Sequence, residues 1–366
     1  MASDAPINET LDCPFANASV YRRHILRADG RDVWIYGYSP NTETVVDQPA
    51  ERLPQGGELR WHPLRQEWNI YAAHRQERTF KPSAADNPLA PTRPGSAVTE
   101  IPIADFELAV FDNRFTSLHP DAAVLSHIDG ARLAPAVGQC EVIVYGTEPQ
   151  GNLHSMGQQR RELLLAAWAD RIDALHGLNC DYVLPFENRG DAVGVTLPHP
   201  HGQIYGFGDI PPAQRAALQA FESGFSLERE IAALDPRFIV NDLESAIAWC
   251  PPYARFPYEV WIAPRSRRAG LATLDPQEAS DFAVLLGDVT QRYDAFFGQP
   301  TPYMMAIHAA PRALAGNWHL TAQFYPILRA PGRLKYLASV EQHTGVFTVD
   351  VMPERAAQVL RELNNE

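Results

Sequence analysis

Lysine is nearly absent from this chain: only Lys81 and Lys335 occur among 31 basic residues, the rest being arginines, against 44 acidic residues and a formal net charge of −13. A phosphate backbone is bound by a continuous basic face, which this sequence lacks, so a nucleic-acid partner is excluded. Arginine, with its planar fork of donors, still suits local capture of a phosphate. Cysteine is scarce as well. Cys13, Cys140, Cys180 and Cys250 are scattered without a CxxC pair, so no thiolate zinc site or disulfide framework is visible, which favours a reducing cytoplasm. No uninterrupted apolar run reaches about 18 residues, and Met1 to Phe15 has neither a basic start nor an apolar core, so a membrane partner and export are not expected.

What remains is length and pattern. At 366 residues the chain can form two domains of ordinary size or one duplicated one. The first 57 residues are polar and irregular, with a hairpin around Val33-Trp34-Ile35-Tyr36 and a Pro/Gly-rich link ending Pro54-Gln55-Gly56-Gly57; they read as an arm. A strand pair follows at Leu59-Arg60-Trp61 and Glu67-Trp68-Asn69-Ile70-Tyr71, and residues 82–97 read as loop.

The sequence then repeats itself. One copy runs from Cys140-Glu141-Val142-Ile143-Val144-Tyr145 through a helix with apolar positions Leu163, Leu164, Ala167, Trp168 and Ile172, to the strand Asp181 to Phe186. The other runs from Tyr258-Glu259-Val260-Trp261-Ile262-Ala263 through a helix capped by Asp275, to the strand Tyr303 to His308. Each copy ends on a further strand, His199-Pro200-His201-Gly202-Gln203-Ile204-Tyr205 in one and His319-Leu320-Thr321-Ala322-Gln323-Phe324-Tyr325 in the other. The expectation is a duplicated α+β fold with residues 1–57 as arm, 58–212 as the first unit and 213–366 as the second. Only the first keeps a histidine at the central position of the shared frame; the second has Thr321.

In an extended segment, residues two apart share a face, so His199, His201 and Gln203 would converge. Two imidazoles and an amide suit nucleophilic catalysis at phosphorus: a neutral ring nitrogen attacks, the protein keeps the phosphoryl group, and a second phosphate displaces it. The other ring nitrogen must then donate to a fixed acceptor. A hydrolase would gain from an acid at position 203. A sugar-phosphate leaving group needs no proton, so Gln203 favours transfer between phosphates. Upstream, Gly190 and Gly194 permit close approach of backbone N–H groups to phosphate oxygens, with Asn188 and Thr196 adding donors.

The run FENRGDAVGVTLPHPHGQIYG (186–206) resembles the galactose-1-phosphate uridylyltransferase family, the transferase branch of the histidine-triad superfamily, and the resemblance extends from about Leu59 to Leu363. It implies two tandem histidine-triad-like domains, each an antiparallel sheet with helices packed on it, and ping-pong transfer of uridylate from UDP-glucose to galactose 1-phosphate. It further implies His201 as nucleophile, Gln203 as its partner, and Asn188, Gly194 and Thr196 as phosphate contacts. Arg75, Arg78 and Asn113 would bind the uridylyl group. Lys335 and Glu341 match a sugar-binding segment that, in the family's homodimers, reaches the neighbouring subunit's site.

The departures concern metals. Where many members carry a CxxC pair for structural zinc, this chain reads Asn87-Pro88-Leu89-Ala90, and a further histidine ligand is missing or displaced to His154. His199 survives alone. A second family site would need a glutamate near Ala217 and histidines near Thr321 and Gln323, yet only His308 remains. The expectation is therefore no zinc or iron, with His199 held by hydrogen bonds. Two other readings stay open: a diverged nucleotidyltransferase or nucleotide-sugar phosphorylase with another nucleotide or sugar 1-phosphate, and a nucleotide-binding protein without turnover.

Overall fold

The computed structural model describes residues 7–48, 56–77, 86–124 and 126–363. In chain order the first half holds β1 (Asn8–Thr10), β2 (Tyr21–Leu26), β3 (Asp32–Gly37), β4 (Glu58–His62), β5 (Glu67–Tyr71), β6 (Leu108–Asp112), β7 (Leu133–Pro135), β8 (Gly138–Val144), helix α1 (Gln158–Gly177), β9 (Tyr182–Arg189) and β10 (His201–Phe207). The second holds α2 (Pro212–Glu222), α3 (Leu227–Ala232), β11 (Ile239–Asp242), β12 (Ala246–Trp249), β13 (Val260–Pro264), α4 (Pro276–Phe297), β14 (Tyr303–His308) and β15 (Thr321–Pro326), with α5 (Ser339–Thr344) and α6 (Pro353–Glu362) near the end.

The repeat appears directly in the sheet. Twelve strands form one antiparallel sheet in the order β1-β2-β3-β6-β8-β10-β9-β14-β15-β13-β12-β11. Read outward from the β9–β14 pair, β10 mirrors β15 and β8 mirrors β13, so the two copies meet edge to edge. Each copy's edge strand thus becomes the other's neighbour, which removes two exposed edges. The predicted arm is incorporated rather than loose: β3 pairs with β6 from Val33 opposite Phe111 to Tyr36 opposite Leu108. Strands β4, β5 and β7 form a separate three-stranded sheet.

Both long helices lie on one face, and one apolar core, including Trp168, Leu164, Phe282 and Leu286, runs under both copies. Helix α4 starts as its sequence dictates. Asp275 accepts from the Glu278 N–H at 2.9 Å, Glu278 accepts from the Asp275 N–H at 2.9 Å, and Pro276 occupies the first turn. On the opposite face the halves differ. The segment around Leu89, Ile101, Ile103 and Phe106 covers the first, whereas Phe221 of α2 and Leu227 and Ile231 of α3 cover the second with Trp318. Among the described residues no helix is long and apolar enough to cross a membrane.

Two polar devices fasten the copies. Arg189 of β9 makes a bidentate pair with Asp294 of α4 at 2.7 and 2.8 Å. Arg161 of α1 reaches between the helices, donating to the Ala283 carbonyl at 2.6 Å and to the Leu153 and His154 carbonyls at 2.7 and 3.0 Å. Its guanidinium crosses α4 where residue 287 is glycine; a methyl group there would come within 2.6 Å of the Arg161 Cζ. Alanine raises helix propensity by about 1 kcal/mol over glycine, but displacing Arg161 would strip buried carbonyls of their donor, at about 1–3 kcal/mol, while also overpacking the crossing. Gly287→Ala is therefore expected to lower the urea midpoint; an unchanged or higher midpoint would contradict this placement of Arg161.

Candidate active site

Strand β10 presents His201, Gln203 and Tyr205 on the face away from the long helices, while Gly202, Ile204 and Gly206 are buried on the helix side. The inward alternation explains Gly202. A Cβ there would come 2.8 Å from the Phe186 carbonyl oxygen and 2.6 Å from the Tyr145 hydroxyl oxygen. The carbonyl belongs to the neighbouring strand and cannot yield without breaking register. Gly202→Ala should accordingly destabilise the fold by about 1–3 kcal/mol, with the loss read from denaturant unfolding.

His201 is half-buried at the start of the strand. Its Nδ1–H donates to the backbone carbonyl of His199 at 2.7 Å. That bond fixes the tautomer and leaves Nε2 with its lone pair. Desolvation lowers the ring's pKa from its ordinary value, against a smaller opposing contribution from the His199 carbonyl bond, so the neutral form is favoured. A cleft of about 140 Å³ opens in front of it, lined among others by Arg75, Asn113, Arg114, Thr196, His201 and Gln203. Arg75 is held there by bonds to the Phe115 carbonyl at 2.8 Å and the Tyr205 hydroxyl at 3.3 Å. The Asn113 Oδ1 accepts from the Phe115 N–H at 2.9 Å, which shapes the turn at the cleft rim. Phe111 and Phe115 give the same cleft aromatic walls, suited to the flat face of a base.

The acidic group at the cleft is neutralised from behind. Glu100 lines the cleft, but Arg31 and Arg27 of the β2–β3 hairpin pair with it at 2.7 and 3.2 Å. Among the described residues the other cations lining the cleft, Arg75 and Arg114, therefore leave it positively charged on an acidic protein, a setting that suits an anion. Arg114 and Glu100 were not among the residues singled out from the sequence. The flanking of Asn113 by Arg114 and Phe115 was a usable signal for the first, whereas nothing local marks Glu100.

Other expected residues are distributed differently. His199 does not share the strand: the ladder begins at His201, because Pro200 has no N–H to extend it, and His199 lies in the preceding bend with 1% exposure. Its Nε2 bonds the Gly146 carbonyl at 2.8 Å and its Nδ1 faces the Asn87 amide at 2.9 Å. His199 thus supports the cleft from outside it. Thr196 reaches the cleft, but Asn188 sits opposite Met304 in the β9–β14 ladder, and the Gly194 N–H is spent on the Asp191 carbonyl at 2.9 Å. Neither lines the cleft. Lys335 and Glu341 pair with each other at 3.0 Å and are almost fully enclosed, apart from this chain's own cleft. Hydrogen bonds from Thr348 and Lys335 hold the Glu341 carboxyl down at about 2. Arg78 lies outside the described residues.

The family model for the N-terminal domain of galactose-1-phosphate uridyl transferase matches residues 50–211, and that for the C-terminal domain matches residues 226–366. The chain belongs to the galactose-1-phosphate uridyl transferase family. A galactose-1-phosphate uridylyltransferase from Thermotoga maritima is 35% identical over 321 residues, covering 84% of this chain and 99% of the relative. One from Streptomyces lividans is 30% identical over 360 residues, covering 92% and 96%. A solved structure described as a uridylyltransferase superposes with a TM-score of 0.75 at 28% identity, covering 83% of this chain and 97% of that one.

Within this uridyl transferase fold the positions expected to hold metal carry other chemistry. At His199 both ring nitrogens are engaged by Asn87 and Gly146, Ala90 offers no ligand atom, and His154 is exposed in the loop before α1. In the second half, burial pushes His308 down to about 4 and its Nδ1 lies 3.0 Å from the Tyr182 hydroxyl. Gln323 donates to Thr321 at 3.1 Å and accepts from Tyr325 at 2.5 Å. Neither donor set fits a structural zinc, which wants about four ligands.

Proposed function

We propose that this protein transfers uridylate from UDP-glucose to galactose 1-phosphate through a covalent adduct on His201. The observation that carries the reading is the His201 ring: Nδ1 is tied to the His199 carbonyl, and Nε2 is left as the nucleophile beside an arginine-bearing cleft. Nε2 attacks the α-phosphorus and forms an N–P bond as the bond to glucose 1-phosphate breaks. The departing phosphate is a stable anion and takes no proton. The imidazolium formed keeps its Nδ1–H on the His199 carbonyl. Gln203, two residues along the same face, donates to the non-bridging phosphoryl oxygens where negative charge is concentrated, and Arg75 and Asn113 hold the nucleotide. In the second half-reaction a phosphate oxygen of galactose 1-phosphate attacks the same phosphorus and frees Nε2. No step needs a metal, and the reading includes none at His199 or His308.

The segment shaped by the enclosed Lys335–Glu341 pair takes the sugar side in a homodimer, where it reaches the partner's cleft; the reaction belongs to the cytoplasm. Isotope exchange tests the covalent half-reaction with the donor nucleotide. Labelled glucose 1-phosphate should enter UDP-glucose with no galactose 1-phosphate present, since the first half-reaction runs alone in a ping-pong scheme. Exchange seen with ADP-glucose and not with UDP-glucose would move the assignment to another nucleotide, and no exchange with either would overturn it.

The depressed His201 pKa has a consequence for rate. Only the neutral ring attacks, and burial keeps it neutral to lower pH than an ordinary imidazole, whose pKa is about 6.5. The acid limb of kcat/KM, which reports the free enzyme, should therefore fall below pH ~6.5. A limb centred above that value would contradict the desolvated site.

A further inference from the structure

We infer that Asn87 is a positioning residue for His201, acting through the side chain and backbone of His199; the inference rests on His201 being the nucleophile. The Asn87 amide is oriented without ambiguity. Its Oδ1 accepts from the Leu89 N–H at 3.1 Å, so its Nδ2 is the atom facing His199 Nδ1 at 2.9 Å. Nδ2 is only a donor. His199 Nδ1 must therefore accept, and its proton sits on Nε2, which donates to the Gly146 carbonyl at 2.8 Å. The ring of a 1% exposed residue is thus gripped at both nitrogens, and the backbone carbonyl of that residue is the acceptor that sets His201 Nδ1 at 2.7 Å. The two histidines are held in opposite tautomers, His199 protonated at Nε2 and His201 at Nδ1. Asn87 also begins the segment that supplies Pro88 and Leu89 to the cleft wall, so one amide ties that wall to the support of the nucleophile.

The second copy provides an internal comparison. His319, at the position of His199, keeps the equivalent carbonyl bond, Nε2 to Pro264 at 2.9 Å. Its buried Nδ1 has no hydrogen-bond partner among the described residues. Two residues on stands Thr321 instead of a nucleophile. The half that has a ring to aim has the amide clamp, and the half without one has none among the described residues.

The test uses full-length protein and two variants. Asn87→Asp preserves the oxygen that caps the Leu89 N–H and replaces the donor with an acceptor, so it separates anchoring of the loop from gripping of the ring; Asn87→Ala removes both. Nitrogen-15 NMR of the histidine rings should show His199 protonated at Nε2 alone in the parent and at both nitrogens in Asn87→Asp. Glucose 1-phosphate exchange into UDP-glucose should fall roughly 10- to 100-fold in kcat in both variants, the scale of a misplaced catalytic group, with KM for UDP-glucose within about twofold in Asn87→Asp, which keeps the loop anchor. The inference is overturned if Asn87→Asp exchanges at the parent rate, if its His199 resonances match the parent's, or if the loss lies in KM. Absence of exchange in the parent would instead overturn the function proposed for His201.

Discussion

His201→Ala is expected to lower uridylyl transfer by at least about 10⁴-fold, the scale seen when a covalent nucleophile is deleted from an otherwise intact site. The loss should be nearly all in kcat, because the cleft groups proposed to hold the nucleotide, Arg75 and Asn113, are fixed by the Phe115 carbonyl and the Phe115 N–H and not by the imidazole. His201 is half-buried, and among the described residues its ring bonds only to the carbonyl two residues back. Deleting it leaves no distant group unpaired, so the variant should unfold at nearly the parent denaturant concentration. Steady-state kinetics paired with an unfolding curve decide the matter. A variant that folds and binds UDP-glucose but does not turn over fits the account; one retaining a tenth of the parent rate would remove His201 from the chemistry.

Gln203→Ala should cost about 10²–10³-fold in kcat, the usual effect of deleting one preorganised donor to developing phosphoryl charge. The residue projects from the same face of β10 as His201, and the register that places it there, opposite Val142 on one side and Phe186 on the other, is made by backbone bonds. The strand therefore survives truncation of the side chain. Gln203→Glu separates charge from shape: it keeps the size, removes the amide donor and puts an anion beside the phosphates, so it should be no better than alanine. Single-turnover formation of the uridylylated enzyme is the cleanest readout. Normal formation in both variants would assign Gln203 to the strand and not to the reaction.

Much of this was legible in the residues. The apolar periodicity marked the first long helix, Asp275 announced the start of α4, and the two frames ending in Gln203 and Gln323 identified the duplication. What the sequence could not show was how the copies join. Edge pairing of β9 with β14 depends on residues more than a hundred positions apart, such as Glu187 opposite Met305, and local pattern carries no information on that register. The same limit hid the incorporation of the hairpin into the sheet and the role of its Arg31 and Arg27 in neutralising Glu100.

Within the site, period-two reasoning placed His201 and Gln203 on a shared face but extended the strand too far, over His199. Proline at 200 ends the ladder there, and the buried ring finds carbonyl and amide partners that no spacing rule anticipates. In sequence the glycine and asparagine run before the histidines reads as one cradle, whereas in the fold Thr196 alone of these residues reaches the cleft and Gly194 closes a turn on Asp191.

The proposed reaction requires a covalent uridylyl group at one imidazole. Intact mass spectrometry of the protein after incubation with UDP-glucose and no acceptor measures this directly. The expected result is a gain of one uridylyl group per chain in the parent, reversed by adding galactose 1-phosphate and absent in His201→Ala. No gain in the parent, or an equal gain in His201→Ala, would contradict it.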